Sequence, residues 1–178
     1  MIKLVARELR TTIPSKAQLK KIERREIYFI LDDVLDTYNV GGIFRLADAV
    51  GVKKIYLCGQ TETPPNPRIK KASINTTGWV AWEYAKTAAL AIKDLRLKIK
   101  DLKVVAVEQD KKSISYTDID YKLPIAFVVG NETTGISEEI LKVCDYIAEI
   151  PMWGVNKSLN VIISLGITVY QAVGKTNE

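Results

Sequence analysis

Histidine is missing altogether from this 178-residue chain. Its absence excludes Ser-His-Asp and Cys-His triads and every zinc site that uses an imidazole. Proton transfer is left to a carboxylate, Lys, Arg, Tyr or water. Cysteine is scarce. Cys58 and Cys144 lie far apart without metal-ligand spacing, so they read as reduced, packed thiols and no metal is expected. No apolar run reaches the ~18 residues that span a membrane. Residues 1–7 lack a signal-peptide core and a small-residue cleavage site, and a cytoplasmic protein is the expectation. Two nucleotide signatures are missing as well. No strand leads into G-x-G-x-x-G, and Gly174-Lys175-Thr176 fails as a P-loop because position 169 is Val169 and no helix follows. Internal repeats and low-complexity segments are absent.

What is present suits one soluble domain with a full core: 47% apolar and 26% charged residues. The net charge of +5 is unevenly placed. Residues 1–26 carry Lys3, Arg7, Arg10, Lys16, Lys20, Lys21, Arg24 and Arg25 against Glu8, Glu23 and Glu26, which accounts for the whole excess. The reading is a basic extension over 1–25 ahead of a neutral domain over 26–178. Such an extension can hold a polyanion; a solvated face on a short helix is the alternative.

Apolar periodicity and turn residues predict the elements. A helix over about 15–24 is capped by Ser15. Strands follow over 26–34 and 54–58, with a helix over 39–50 between them that Gly51 ends. Residues 61–68 hold three prolines and read as a loop, followed by a basic segment with Arg68, Lys70 and Lys71. Trp79, Trp82 and Tyr84 fall in a strand or irregular stretch. A helix over 86–98, strands over 103–108 and 125–129, a short helix over 137–143, a strand over 147–150 and a helix over 158–172 complete the chain. This order predicts an α/β fold with a mostly parallel sheet and helices on both faces. The last helix is apolar nearly all round, which calls for burial on every side and predicts packing against a second copy of the chain.

Three blocks stand out. Asn39-Val40-Gly41-Gly42-Ile43-Phe44-Arg45 opens the first long helix. Its glycines allow close approach, and Arg45 is either a surface arginine pairing with Asp48 or a guanidinium aimed at a phosphate. Gly130-Asn131-Glu132-Thr133-Thr134-Gly135-Ile136-Ser137 follows a strand, and Ile150-Pro151-Met152-Trp153-Gly154 runs on to Ser158-Leu159-Asn160-Val161. Each is a strand entering a turn and then a helix. Two such turns side by side make a small-molecule pocket at the C-terminal edge of a parallel sheet. Taken singly, each is also ordinary turn chemistry, with Ser158 capping the last helix.

In order and spacing, the three blocks resemble the motifs of the SpoU/TrmH family of RNA ribose 2′-O-methyltransferases, within the SPOUT class. The resemblance covers about residues 27–172. One departure is Thr133, where the family commonly has glycine. The resemblance implies a C-terminal deep trefoil knot and S-adenosylmethionine held largely by backbone. The expected cofactor contacts are Val107, Gly130, Asn131, Glu132, Gly135, Ile150, Met152 and Leu159. It implies Arg45, Asn39, Ser158 and Asn160 as the catalytic group, an RNA partner with tRNA ahead of rRNA, and a homodimer through the last helix. Without a sizeable added RNA-binding domain, Arg24, Arg25, Arg68, Lys70 and Lys71 are the candidate RNA contacts. A cofactor-binding and RNA-binding pseudoenzyme, or a base methyltransferase of the same fold, are the competing readings.

Overall fold

Short apolar segments, rich in Val and Ile and separated by turn residues, form seven parallel strands in a computed structural model that describes residues 6–9, 12 and 14–176. The strands are β1 (Arg25–Asp32), β2 (Val52–Cys58), β3 (Trp82–Ala85), β4 (Lys103–Val107), β5 (Ile114–Ser115), β6 (Ile125–Val129) and β7 (Tyr146–Glu149). They lie in the order β3-β2-β1-β6-β4-β7-β5, every pairing parallel. The helices are α1 (Ala6–Leu9), α2 (Lys16–Leu19), α3 (Thr37–Val50), α4 (Pro67–Ser73), α5 (Ala88–Lys98), α6 (Glu138–Val143) and α7 (Val161–Lys175).

The central strands are apolar on both faces because both faces are covered. On one side Ile27, Phe29 and Leu31 of β1 meet α3 and α7 through Val40, Phe44, Leu165 and Val169. On the other side Tyr28 and Ile30 meet α5 and α6 through Ala91, Ile92, Leu95 and Ile140. Each fully buried Leu, Ile or Phe contributes about 1.5–3 kcal/mol. Phe29 and Phe127 face each other across β1 and β6, their rings edge to face at 6.3 Å, which adds about 1 kcal/mol.

The first long helix sits in a tight slot. Asp36 caps α3 by accepting from the Tyr38 N–H at 2.8 Å, and Gly51 ends it at φ 72°. A Cβ at Gly41 would lie 2.5 Å from the Ala72 Cβ of α4, and one at Gly42 would overlap the Ile162 side chain of α7. The two glycines therefore let α3 wedge between α4 and α7.

Several elements differ from the sequence reading. The first capped helix stops at Leu19. Ser15 and Gln18 form a reciprocal capping box, but none of its residues is buried, so nothing supports a longer helix. Lys3 and Arg10 of the basic extension lie outside the described residues. The predicted loop ends earlier than position 68, because Asn66 caps α4 and Pro67 takes its first position. The two-residue β5 was not anticipated. The last helix begins at Val161 and buries Leu165, Thr168, Val169 and Ala172, while Ile163 and Tyr170 are 52% and 55% exposed. Burial on every side is thus not met within one chain. Among the described residues no helix is long and apolar enough to cross a membrane.

Candidate functional site

Parallel strands deliver their C-terminal ends to one edge, and the turns there face each other. The ends of β4, β6 and β7 and the start of α7 enclose a cavity of about 410 Å³. The turn after β6 is shaped by Asn131, whose Oδ1 accepts from the Thr133 and Thr134 N–H groups at 2.8 and 3.0 Å. Gly135 closes it at φ 68°. Gly130 packs so tightly under it that a Cβ would lie 2.5 Å from the Gly135 carbonyl carbon. Thr133 is not among the residues of positive φ, so this turn does not require glycine there.

All eight predicted cofactor contacts line this one cavity, as do Ser158 and Asn160. Sequence reasoning missed Glu108, Gln109 and Asn156, which also line it. The Glu108 carboxylate accepts from the Ile136 N–H at 3.1 Å and the Gln109 N–H at 2.8 Å. Gln109 in turn donates to the Lys157 carbonyl at 2.6 Å, tying the β4 tip to the loop before α7. A signal for Glu108 was available, since it directly follows Val107, which the family resemblance implied, at the end of the strand expected over 103–108.

A chain of hydrogen bonds joins the three sequence blocks. The Glu132 carboxylate accepts from the Leu35 and Asp36 N–H groups, each at 3.1 Å, and from Asn39 Nδ2 at 2.8 Å. Asn39 Oδ1 accepts from Asn160 Nδ2 at 3.0 Å. Asn160 Oδ1 accepts from the Ile162 N–H at 2.9 Å and so caps α7. Ser158 does not cap the helix: its N–H and hydroxyl both turn to Asn156 Oδ1, at 3.1 and 3.3 Å. Burial alone would raise the Glu132 carboxyl, but the Asn39 amide and the backbone N–H groups outweigh it and hold it below the usual carboxylate range. Glu132 is thus held ionised, its carboxylate engaged by the Leu35, Asp36 and Asn39 donors.

The positively charged candidates are placed differently from one another. Arg45 is exposed on α3, makes no hydrogen bond or ion pair among the described residues and is not part of the cavity wall. It lies one turn beyond Gly42, on the flank of α3 that faces the start of α7. Asp48, its alternative partner, is taken by Arg24 at 3.3 Å and by the Trp79 indole N–H at 2.8 Å. Arg24 is correspondingly held against α3. Arg25 begins β1, its N–H bonded to the Gly51 carbonyl at 2.7 Å. Arg68, Lys70 and Lys71 stand exposed on α4, free of ion pairs among the described residues.

On the opposite sheet face, burial pushes the Cys58 and Cys144 thiols up to about 12, so both stay protonated and unreactive. Burial, then Asp33 and Glu139, raises Asp32 to about 6. Among the described residues no group of three or more Cys, Asp or Glu could hold a metal.

Comparison with known proteins points the same way as the geometry. The model of the SpoU rRNA Methylase family matches residues 26–170. A tRNA (guanosine(18)-2′-O)-methyltransferase of Aquifex aeolicus is 33% identical over 159 residues, covering 87% of this chain and 72% of that protein. The chain spans 60% of the length of the Escherichia coli protein of that name. A crystal structure of the A. aeolicus TrmH/SpoU tRNA modifying enzyme superposes with a TM-score of 0.79 at 27% identity, over 97% of this chain and 82% of that one. An AdoMet-bound rRNA methyltransferase of Sinorhizobium meliloti superposes at 0.77 and 31% identity, over 86% of this chain and 58% of that one.

Proposed function

The chain belongs to the SpoU rRNA Methylase family, and we propose that it methylates the ribose 2′-hydroxyl of a structured RNA with S-adenosylmethionine as donor. The observation that carries this is the hydrogen-bond chain from Glu132 through Asn39 to Asn160, which ties three distant segments to one strand-tip cavity. The cavity fits the donor. Its size lies in the range of small-molecule sites, and Val107, Ile150, Met152 and Leu159 offer a purine an apolar wall. Glu108 supplies a carboxylate beside them for a hydroxyl or an ammonium group. The trefoil threading belongs to the same reading, supported by the two turns that share one cavity.

When bound, the donor supplies an electrophilic methyl and a good leaving group, so the chain has mainly to align the acceptor and manage its proton. Arg45 is the residue for that task. Its exposure and freedom from partners leave the guanidinium available to an RNA phosphate. Deprotonating a group of pKa above ~12 at pH 7 costs about 7 kcal/mol. A charged Arg45 that grips phosphate and steadies the developing negative oxygen avoids that cost. The proton then leaves to water or phosphate. Asn39 and Asn160 hold the start of α7 in register with α3, and Ser158 shares the cavity wall with Asn160.

The RNA is held by the basic segment 1–25, by Arg25 and by Arg68, Lys70 and Lys71, with 26–178 as the catalytic domain. Arg24 contributes by fixing the start of β1 to Asp48. tRNA is favoured over rRNA as substrate. A second copy of the chain covers Ile163 and Tyr170 of α7, giving a homodimer in the cytoplasm.

The decisive experiment gives the purified protein tritiated S-adenosylmethionine and RNA from cells lacking the gene, then maps 2′-O-methyl groups by mass spectrometry. Methylated ribose is expected, and its absence from every RNA class would overturn the reading. Arg45→Lys should bind S-adenosylhomocysteine as the parent does but turn over roughly 100-fold more slowly. Unchanged turnover removes Arg45 from the mechanism.

A further inference from the structure

A second cavity, of about 650 Å³, opens toward the β3 edge of the sheet, away from the tips of β6, β4 and β7. Its walls include Pro64, Pro65 and Pro67 from the loop entering α4, together with Thr77 and the indole of Trp82, and Lys70 stands beside them. Two independent features indicate the occupant.

The first is shape and chemistry. Proline rings and an indole give flat apolar surface. The Trp82 indole N–H has no hydrogen-bond partner among the described residues, whereas Trp79 gives its own to Asp48 at 2.8 Å. A planar ligand would find a stacking face here, and the in-plane indole N–H stays open to a ribose or phosphate oxygen beside it.

The second is charge. Between Gln60 and Ala81 the one acid is Glu62, against Arg68, Lys70 and Lys71. Those three cations are exposed and free of ion pairs among the described residues. Glu83, next to Trp82, is already neutralised by Lys54 at 3.0 Å. The basic N-terminal segment is tied to the turn that precedes Thr77: Asn75 donates through Nδ2 to the Leu9 carbonyl at 2.8 Å. Flat apolar surface ringed by cations is how proteins hold an unpaired base between its phosphates.

We infer that this cavity takes an unpaired nucleobase of the RNA substrate, stacked on Trp82 with Lys70 at an adjoining phosphate. The inference rests on the RNA-modifying reading of the strand-tip site and adds a substrate contact remote from the methyl transfer.

Ultraviolet crosslinking to a short single-stranded oligouridylate tests it. Trypsin cuts after Lys71 and Lys86, releasing residues 72–86 as one peptide. A uridine adduct on Trp82 is expected. Trp82→Leu should bind the oligonucleotide about tenfold more weakly and Trp82→Phe should recover most of that. Lys70→Gln should lower the salt slope of binding by about one. All three should bind S-adenosylhomocysteine like the parent. Adducts confined to other peptides overturn the inference, and so does parental RNA affinity in Trp82→Leu and Lys70→Gln. If Trp82→Leu does not fold, the adduct and Lys70→Gln decide. Dissociation of the assembly by Lys70→Gln in sedimentation would assign the cavity to a protein contact and overturn the inference too. A parent that shows the Trp82 adduct but no methyl transfer refutes the earlier reading alone.

Discussion

Glu132→Ala removes the acceptor at the head of the hydrogen-bond chain, and its cost can be worked from what it leaves behind. The Leu35 and Asp36 N–H groups belong to exposed residues, so water takes the place of the carboxylate and each lost bond costs about 0.5 kcal/mol. Asn39 is only 4% exposed, and its amide loses a charged acceptor at 2.8 Å, which costs about 1–2 kcal/mol. The sum is roughly 2–3 kcal/mol. At about 2–4 °C per kcal/mol for a chain of this length, Tm should fall by about 4–12 °C. Urea unfolding of the parent, Glu132→Ala, Asn39→Ala and the double variant measures it. The cycle should return a coupling of about 1 kcal/mol. Strict additivity would refute the claim that these side chains hold the blocks together. The pH dependence gives a second check. Because hydrogen bonds depress the folded carboxyl, its stabilisation is full at neutral pH and is lost as pH falls through the folded value, below 4.5. Glu132→Ala should lose less stability than the parent over that acid range.

Three further substitutions test the surroundings. Asp32 is raised to about 6, so its folded form prefers the proton; stability should decline as pH climbs from about 4 through about 6. Asp32→Asn should flatten that decline and raise stability at pH 7 by about 1 kcal/mol, the full shift being discounted because the carboxyl is part-exposed. Parallel curves for parent and variant in urea melts across pH 4–7 would count against it. Asn160→Ala should cost about 1 kcal/mol as a lost helix cap and also weaken S-adenosylhomocysteine binding by calorimetry. Ser158→Ala should leave the stability of α7 unchanged, and a cost matching that of Asn160→Ala would restore Ser158 as the cap.

The sequence by itself determined the architecture, because the signals for it are local. Strands covered on both faces must be continuous apolar runs, and those over 26–34, 54–58, 103–108 and 125–129 were visible as such. Gly51 marked a helix end because few other residues take its left-handed backbone. The three blocks carried the family resemblance, and strand ends in a parallel sheet share an edge, so most of the cavity wall could be named in advance. Only the tertiary structure decided the polar pairings. Glu132 reaches Leu35, Asp36 and Asn39 across 97, 96 and 93 residues, and Asn160 reaches Asn39 across 121. No periodicity encodes such partners, since a polar side chain bonds to whatever group the rest of the chain brings within reach. Ser158 and Asn160 are both good caps; Asn39 on a different helix selects Asn160. Asp48 likewise goes to Arg24 and Trp79, which leaves Arg45 without a partner on the flank where α3 meets α7.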